Sequence, residues 1–230
     1  MMDKIQLMSP VILQIETTTK TCSVALAADG KLIALEESTT DFSHAESITL
    51  FIQKVLDKAA INASQVNAIA VSGGPGSYTG IRIGMATAKG LSYSLGIPLI
   101  KLNSLLSLAE GMVQTYPNDL ENVLFVPMID ARRMEVFMAV FDKNIATILP
   151  TSAEVIDESF FDHYKNNKLL LGGTGAKKVI AFLTKPFIEF IEISHSAKWL
   201  CIPALNAFNK NKFETLTATT ADYYKDYYFK

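Results

Sequence analysis

One glycine-rich segment organises the chain. Residues 71–84 read VSGGPGSYTGIRIG, with five glycines and one proline. The apolar run 68–71 leads into this segment, and a weakly charged apolar stretch, 83–95, follows it and stops before Gly96. This order predicts a buried strand, a glycine turn and a helix. Because backbone N–H groups at such a helix start have no helical partner, an anion such as phosphate can bind there.

Two interpretations of the glycines remain open. The segment lacks the Gly-Lys-Ser/Thr ending of a Walker loop, and Thr79 stands where the Rossmann pattern needs its third glycine. One interpretation is structural, because glycines permit positive φ, and the stripe Gly80, Gly84 and Ala88 lets the helix approach the sheet closely. The other is that the turn cradles a nucleotide phosphate.

Composition predicts a soluble globular protein. The 230 residues are 49% hydrophobic and 19% charged, which suffices for one large core or two small lobes. No apolar run reaches the roughly 18 residues of a membrane span, and the first ten residues lack a signal-peptide layout, so we expect a cytoplasmic protein without membrane contact. Cys22 and Cys201 lie in apolar segments, which favours buried free thiols over a disulfide or a nucleophile.

The charge balance predicts weak RNA binding by the isolated chain. The formal net charge is −2, and the basic clusters are limited to Arg132-Arg133 and Lys177-Lys178. Affinity for tRNA depends on neutralising many phosphates. We therefore expect this chain to bind tRNA poorly when it is alone.

A succession of strands and turns occurs twice, at an offset of 114 residues that pairs Glu16 with Asp130. Apolar runs and turn signals predict strands at 11–15, 21–28, 31–37, 68–72 and 98–102, and again at 123–130, 134–141, 145–149 and 169–171. Capping boxes at 43–46 and 151–154 predict a helix in each half, and the glycine turn 172–175 predicts a further one. The repeat predicts two similar lobes, 1–106 and 107–230.

The exact letters of the glycine segment match a known family. GPGSYTGIRIG at 74–84, followed by ATAKGL at 86–91, closely resembles the signature of the bacterial TsaB (YeaZ) family. That family supports threonylcarbamoyladenosine modification of tRNA, and its members are similar to shortened paralogues of the TsaD (Gcp) subunit. The resemblance implies an α/β, duplicated actin-like fold of the ASKHA, ribonuclease H-like type. It also implies that a helix at 195–210 packs back on the first lobe.

The resemblance implies a non-catalytic partner subunit. Such a subunit binds and activates a TsaD-type catalytic subunit, which transfers threonylcarbamoyl to N6 of adenosine 37 in tRNAs reading codons that start with A. A TsaE-type ATPase works with them, and tRNA is bound only through the complex. A second copy of the chain takes the place of TsaD when TsaD is absent. No cofactor is required by this chain, while ATP or ADP at a complex interface is left open.

The resemblance also supplies nucleotide-site candidates. An actin-like kinase holds metal and water with an acidic residue after the first strand of each lobe, and glycine turns cradle its nucleotide. The matching positions are Glu16, Thr17, Gly74, Gly76, Asp130, Gly172, Gly173 and Gly175. Glutamate replaces the aspartate of the family's Asp-Thr-Ser-Thr loop.

We predict no catalytic residue and no metal ligand. The sequence contains neither a His-x-x-x-His pair nor a Cys/His cluster, and capping or surface roles are expected for all three histidines. The competing hypotheses are a small ATP-dependent phosphotransferase of the sugar-kinase type and, third, a peptidase.

Two helices of the first lobe form the predicted partner surface. Helix 43–60 carries an apolar stripe, from which Phe51 and Val55 are expected to face away from the sheet, and the helix after Gly80 offers a wall of small residues. The predicted interface residues are Ile48, Phe51, Ile52, Val55, Gly84 and Ala88. The alternative is that both helices only cover their own sheet.

Overall fold

A computed structural model describes residues 9–38 and 44–225 of the chain. This part of the chain forms ten strands, which are β1 (Val11–Glu16), β2 (Cys22–Ala28), β3 (Lys31–Ser38), β4 (Ala68–Gly74), β5 (Leu99–Asn103), β6 (Val123–Asp130), β7 (Glu135–Phe141), β8 (Thr147–Val155), β9 (Lys168–Gly172) and β10 (Ile188–Ile191). Its five α-helices are α1 (His44–Ala59), α2 (Tyr78–Leu95), α3 (Ser104–Thr115), α4 (Ala176–Ile180) and α5 (Cys201–Asn209).

The strands form two five-stranded sheets with the same connectivity. The first lobe contains the sheet β3-β2-β1-β4-β5, and the second lobe contains β8-β7-β6-β9-β10. In each sheet the central strand pairs antiparallel with the strand that follows it and parallel with the fourth strand of the lobe. Glu16 and Asp130 end the two central strands, so the predicted α/β duplication is confirmed.

Helices α1 and α2 cover one face of the first sheet. The spacing of apolar residues in α1 follows the helical period, so one side of the helix meets the strands. Phe51 is 8% exposed and Val55 is fully buried, and both belong to the core that includes Leu13 and Val71. The expectation that Phe51 and Val55 face away from the sheet is therefore wrong.

Glycine and serine define the ends of α2. The Ser77 hydroxyl accepts a hydrogen bond from the Gly80 N–H at 3.2 Å, which caps the first turn. Gly96 ends the helix in the left-handed conformation, with φ 65° and ψ 30°, as the sequence predicted. For α1 the predicted cap, Ser43, lies outside the described residues.

Helices α3 and α5 lie between the sheets. Ala204 and Ala207 of α5 pack on the first sheet, against a cluster that contains Ile12 and Ile100. Leu108 and Met112 of α3 pack on the second sheet, against Val123, Phe125 and Leu170. Each of the two helices thus covers a face of one of the sheets.

No α-helix lies between β8 and β9, where α1 would have its counterpart, so the helix predicted from the capping box at 151–154 is wrong. These residues extend β8 and pair with β7, with Glu154 opposite Val136 and Ser152 opposite Met138. Strand pairing satisfies the backbone groups that a capping box would otherwise serve. Buried Phe161 helps to cover this sheet in place of a long helix.

The C-terminal segment 219–225 crosses from the first lobe to the second. The Asp222 N–H donates to the Gly73 carbonyl at 2.8 Å, and its carboxylate pairs with Lys101 at 2.7 Å. Three residues later Lys225 forms an ion pair with Glu135 at the start of β7. The segment therefore contacts both lobes beside the glycine loop.

Candidate functional site

The first turn, residues 16–21, joins β1 to β2, and the carboxylate of Glu16 points into the protein. Glu16 is fully buried. One carboxylate oxygen accepts hydrogen bonds from the N–H and the hydroxyl of Thr18, the former at 2.7 Å, and the other oxygen accepts one from the Ser72 hydroxyl. The carboxylate therefore acts as an acceptor for groups of its own chain, which is a structural use of a buried charge.

The glycine loop packs backbone to backbone on this first turn. The Ser77 N–H donates to the Thr18 carbonyl at 2.6 Å, and the Thr17 hydroxyl donates to the Gly80 carbonyl at 2.8 Å. A Cβ on Gly76, which has φ +153°, would overlap the Thr18 carbonyl oxygen. This contact supports the structural interpretation of the glycines, because side chains at these positions would separate the two loops.

Gly74 has a related role beside the C-terminal segment. A Cβ on Gly74 would overlap the carbonyl oxygen of Asp222, and its φ is +122°. The structure thus brings together four of the predicted nucleotide residues, Glu16, Thr17, Gly74 and Gly76. Their contacts are with other atoms of the protein.

The second turn, residues 130–135, joins β6 to β7 and faces outward. The Asp130 side chain is 52% exposed and pairs with Lys178 at 2.6 Å. Its carboxylate also accepts from the Arg132 N–H at 2.8 Å. Partial burial of Asp130 acts to raise its pKa. The hydrogen bonds from Lys178 and the Arg132 backbone, together with the positive charges of both residues, outweigh this effect and hold the pKa of Asp130 below its ordinary value.

The glycines after β9 lie close to the second turn and also serve packing. A Cβ on Gly173, which has φ +94°, would overlap the Met128 carbonyl oxygen, and one on Gly175 would crowd the Ile129 backbone. Gly172 faces Ile191 and Ile193. The structure therefore places the remaining four predicted residues together around the end of β6, with the glycines in contact with protein atoms.

An interlobe groove of about 690 Å³ lies beside these loops and is lined by residues that the sequence did not single out for chemistry. Thr21, Glu37 and Thr115 contribute to it, together with His195 and Trp199 of the segment that crosses from β10 to α5. None of the eight predicted nucleotide residues lines this groove. No sequence signal could have found it, because its wall combines strands of one lobe with a connection from the other.

His195 is a buried histidine, so the predicted capping or surface role is wrong for it. It is 2% exposed, and neither ring nitrogen has a hydrogen-bond partner in the protein. Burial lowers the pKa of His195, while the nearby charge of Glu16 opposes that shift. Gln14, on the same strand as Glu16 and fully buried, likewise has an amide without a protein partner. The interlobe side of the first sheet thus carries an unusual polar interior.

Both thiols are buried, and His44 contacts the backbone. Cys22 and Cys201 are buried and unpaired, as predicted, and burial raises their pKa values to about 11 and about 12. His44 contacts the Thr19 carbonyl at 2.7 Å through Nε2. Across residues 9–38 and 44–225, no group of three or more His, Cys, Asp or Glu side chains could hold a metal ion. In the same residues, no helix has the length and apolar character needed to cross a membrane.

The six predicted interface residues are all buried in the first lobe. Ile48, Ile52, Gly84 and Ala88 face the sheet together with Phe51 and Val55. Other side chains form the outer surface of the two helices. Leu50 of α1 is 52% exposed, and Tyr93 of α2 is 81% exposed.

Comparisons with known proteins agree with this fold. Residues 38–230 match the family model described as TsaD, tRNA N6-adenosine threonylcarbamoyltransferase. The Escherichia coli protein named tRNA threonylcarbamoyladenosine biosynthesis protein TsaB is 36% identical over 133 residues, which is 58% of this chain and 55% of that protein. A Thermosipho africanus tRNA N6-adenosine threonylcarbamoyltransferase is 28% identical over 165 residues, 65% of this chain and 50% of that enzyme.

Among solved structures, YeaZ from Pseudomonas aeruginosa superposes with a TM-score of 0.78 at 24% identity, covering 93% of this chain and 99% of that one. This likeness confirms the fold. The matched region spans about half the length of the curated relatives. The resemblance read from the glycine segment is confirmed by relatives that carry the TsaB name.

Proposed function

The chain belongs to the TsaD family, and from that premise we propose that it is the non-catalytic, TsaB-type subunit of the complex that forms threonylcarbamoyladenosine in tRNA. In this role it binds and activates a TsaD-type catalytic subunit in the cytoplasm and works with a TsaE-type ATPase. tRNA is bound through the assembled complex, and no cofactor is required by this chain.

The state of Glu16 carries this proposal. An actin-like phosphotransferase needs an acidic group that faces the transferred phosphate and holds metal or water. Glu16, at that position in the first lobe, is fully buried and accepts three hydrogen bonds from Thr18 and Ser72. The glycine loop that would hold phosphate is packed on the same turn. These contacts favour a structural role over phosphotransfer.

The outer surface of α1 and α2 is the proposed docking site for the TsaD-type subunit, or for a second copy when that subunit is absent. Leu50 and Tyr93 project from this surface, and Gly90 lies between them in sequence with no atom within 4 Å of an added Cβ. A large exposed side chain close to a glycine, as with Tyr93 three residues after Gly90, permits close packing of a partner helix. Tyrosine is also among the residues that dominate binding energy at interfaces.

Reconstitution tests the function. Threonylcarbamoyladenosine formation on a tRNA transcript is measured with TsaD-type and TsaE-type subunits, with and without this chain, while ATP turnover is measured on the chain alone. We expect modification only when the chain is present, and turnover far below the ordinary enzyme range of about 1 per second. Full modification without the chain, or turnover in that range that Asp130→Ala abolishes, would contradict the proposal.

The docking surface is tested separately with Leu50→Lys. A charge placed in a dry contact is expected to weaken heterodimer affinity by about thirtyfold or more, while circular dichroism stays unchanged. Ile148→Lys is the matched control, since Ile148 is 49% exposed on β8 of the other lobe. Equal affinities for the two variants would place the partner elsewhere.

A further inference from the structure

One lysine of the second dibasic pair meets the two arginines of the first on one surface. Arg132-Arg133 and Lys177-Lys178 are far apart in the chain. The Lys178 ammonium nevertheless donates to the Arg133 carbonyl at 3.1 Å and pairs with Asp130. Lys225 joins them through its ion pair with Glu135. Four cations, Arg132, Arg133, Lys178 and Lys225, therefore lie at the second turn in a chain whose formal net charge is −2.

The two arginines occupy the tip of this turn. Residues 132–134 are exposed, and both arginines have left-handed backbone, with φ 65° and 51°. Within the described residues neither guanidinium forms an ion pair, whereas Lys177, Lys178 and Lys225 each have a carboxylate partner. The tip thus presents two positive charges close to the carboxylate of Asp130.

Further cations continue this surface onto the first lobe. Lys101 pairs with Asp222, three residues before Lys225, which is a span of at most about 11 Å of extended chain. Tyr223 lies in that span and is 47% exposed, and its ring is tilted by 36° against that of Tyr78, with 5.2 Å between ring centroids. The Arg82 guanidinium lies 4.1 Å from the Tyr78 ring centroid.

We propose that this basic surface, formed by Arg82, Lys101, Arg132, Arg133, Lys178 and Lys225, contacts backbone phosphates of tRNA in the assembled complex. The inference rests on the proposed function, which makes tRNA the substrate of that complex. Cations spread over both lobes, with exposed aromatic rings between them, fit a run of phosphates and neighbouring bases better than one small anion. The few unpaired charges agree with the expectation that the isolated chain binds tRNA poorly, since each contact contributes modestly.

The test uses the complex of this chain with its TsaD-type subunit and a tRNA transcript, with fluorescence anisotropy recorded over a range of salt concentrations. The variant Arg132→Asn/Arg133→Gly removes two charges, and Asn and Gly accept left-handed backbone readily, so the turn is retained. We expect affinity to fall at least about tenfold near 0.1 M salt, and the salt slope to decrease by about two. The charge-matched control is Lys210→Gln/Lys212→Gln, at exposed positions after α5.

The outcomes separate the surface from the function. Arg132→Lys/Arg133→Lys keeps the charges and should retain the wild-type slope. If the complex modifies tRNA but the neutral variant binds tRNA with an unchanged slope, this inference is wrong while the proposed function stands. Loss of TsaD affinity in the neutral variant, or loss of ATP binding with tRNA affinity intact, would assign the surface to a protein or nucleotide and overturn the inference. If wild-type complex does not bind or modify tRNA, the proposed function itself fails.

Discussion

The two turns that follow the central strands are topologically equivalent and chemically opposite. The first turn points its carboxylate into the protein, where Glu16 accepts from Thr18 and Ser72. The second turn leaves Asp130 half exposed beside Lys178 and raises two arginines into solvent. The two lobes therefore share their strand order but not the use of the acid at the end of the central strand. The carboxylate of the first turn accepts hydrogen bonds inside the protein, whereas that of the second turn lies at the surface.

The packing partner explains the difference. The first turn lies against the glycine loop, whose missing side chains allow backbone contact and exclude solvent. Within residues 9–38 and 44–225 no such loop covers the tip of the second turn, whose residues 132–134 are exposed, so charged residues occupy it without desolvation. A buried charge is tolerated only where the surrounding donors are complete, and Thr18 and Ser72 supply these donors to Glu16.

The largest expected effect comes from separating the first turn from the glycine loop. In Gly80→Ala the new methyl group overlaps the Thr17 carbonyl oxygen, so we expect a loss of about 4 kcal/mol in the free energy of unfolding. Gly90→Ala, in the same helix but with open space around it, should gain up to about 1 kcal/mol. Urea denaturation measures both, and equal midpoints would show that the close approach is unimportant.

Removing each acid compares the two turns directly. Glu16→Ala leaves buried donors on Thr18 and Ser72 unpaired, and we expect a loss of about 3 kcal/mol. Asp130→Ala removes an exposed ion pair with Lys178, which should change stability by less than about 1 kcal/mol. Chemical denaturation of both variants checks the difference. A larger loss for Asp130→Ala would reverse our comparison.

Acid should weaken the first lobe through His195. Burial lowers its pKa in the folded state, so below about pH 6.5 the unfolded chain binds the extra proton and stability falls as pH decreases. The slope for one proton is at most about 1.4 kcal/mol per pH unit, or about 2 kcal/mol between pH 6.5 and 5. Denaturation at several pH values should show that His195→Gln removes this slope, whereas His163→Gln, at an exposed position, retains it. A slope that His195→Gln leaves intact would contradict this assignment.

The smallest effect concerns the polar interior of the first sheet. The repeat pairs Gln14 with Met128, which is a fully buried apolar residue in the second lobe. Gln14→Met removes an amide without a protein partner at similar volume, and we expect a gain of about 1 kcal/mol in thermal or urea denaturation. Gln53→Met on the exposed side of α1 is the control and should be neutral. A clear loss in Gln14→Met would mean that the amide has an essential polar partner.

The sequence was sufficient for the repeat and for most strands. The apolar run 123–130 coincides with β6, and the offset between Glu16 and Asp130 located both central strands. These elements depend on local pattern and turn chemistry, which a sequence displays directly. The helix predicted from the capping box at 151–154 is wrong, because these residues pair with β7 as a strand.

The parts that were not predicted depend on contacts between distant segments. The orientation of Phe51 follows from how α1 rolls on the first sheet, and periodicity alone does not say which side of a stripe meets the strands. The meeting of Lys178 with the second turn depends on the path from β9 into α4. His195 was unremarkable in sequence because its burial comes from packing of the crossing segment.

The C-terminal segment 219–225 has a mechanical consequence. A hinge motion between the two lobes has to deform every segment that connects them. Segment 219–225 is such a connection, in addition to α3 and the segment from β10 to α5. Its contacts with Lys101 on one side and Glu135 on the other would have to break before the lobes could swing apart. We therefore expect the two lobes to move as one rigid body and to unfold in a single cooperative step. Release of the C-terminal segment 219–225 would be the first event if the lobes separate.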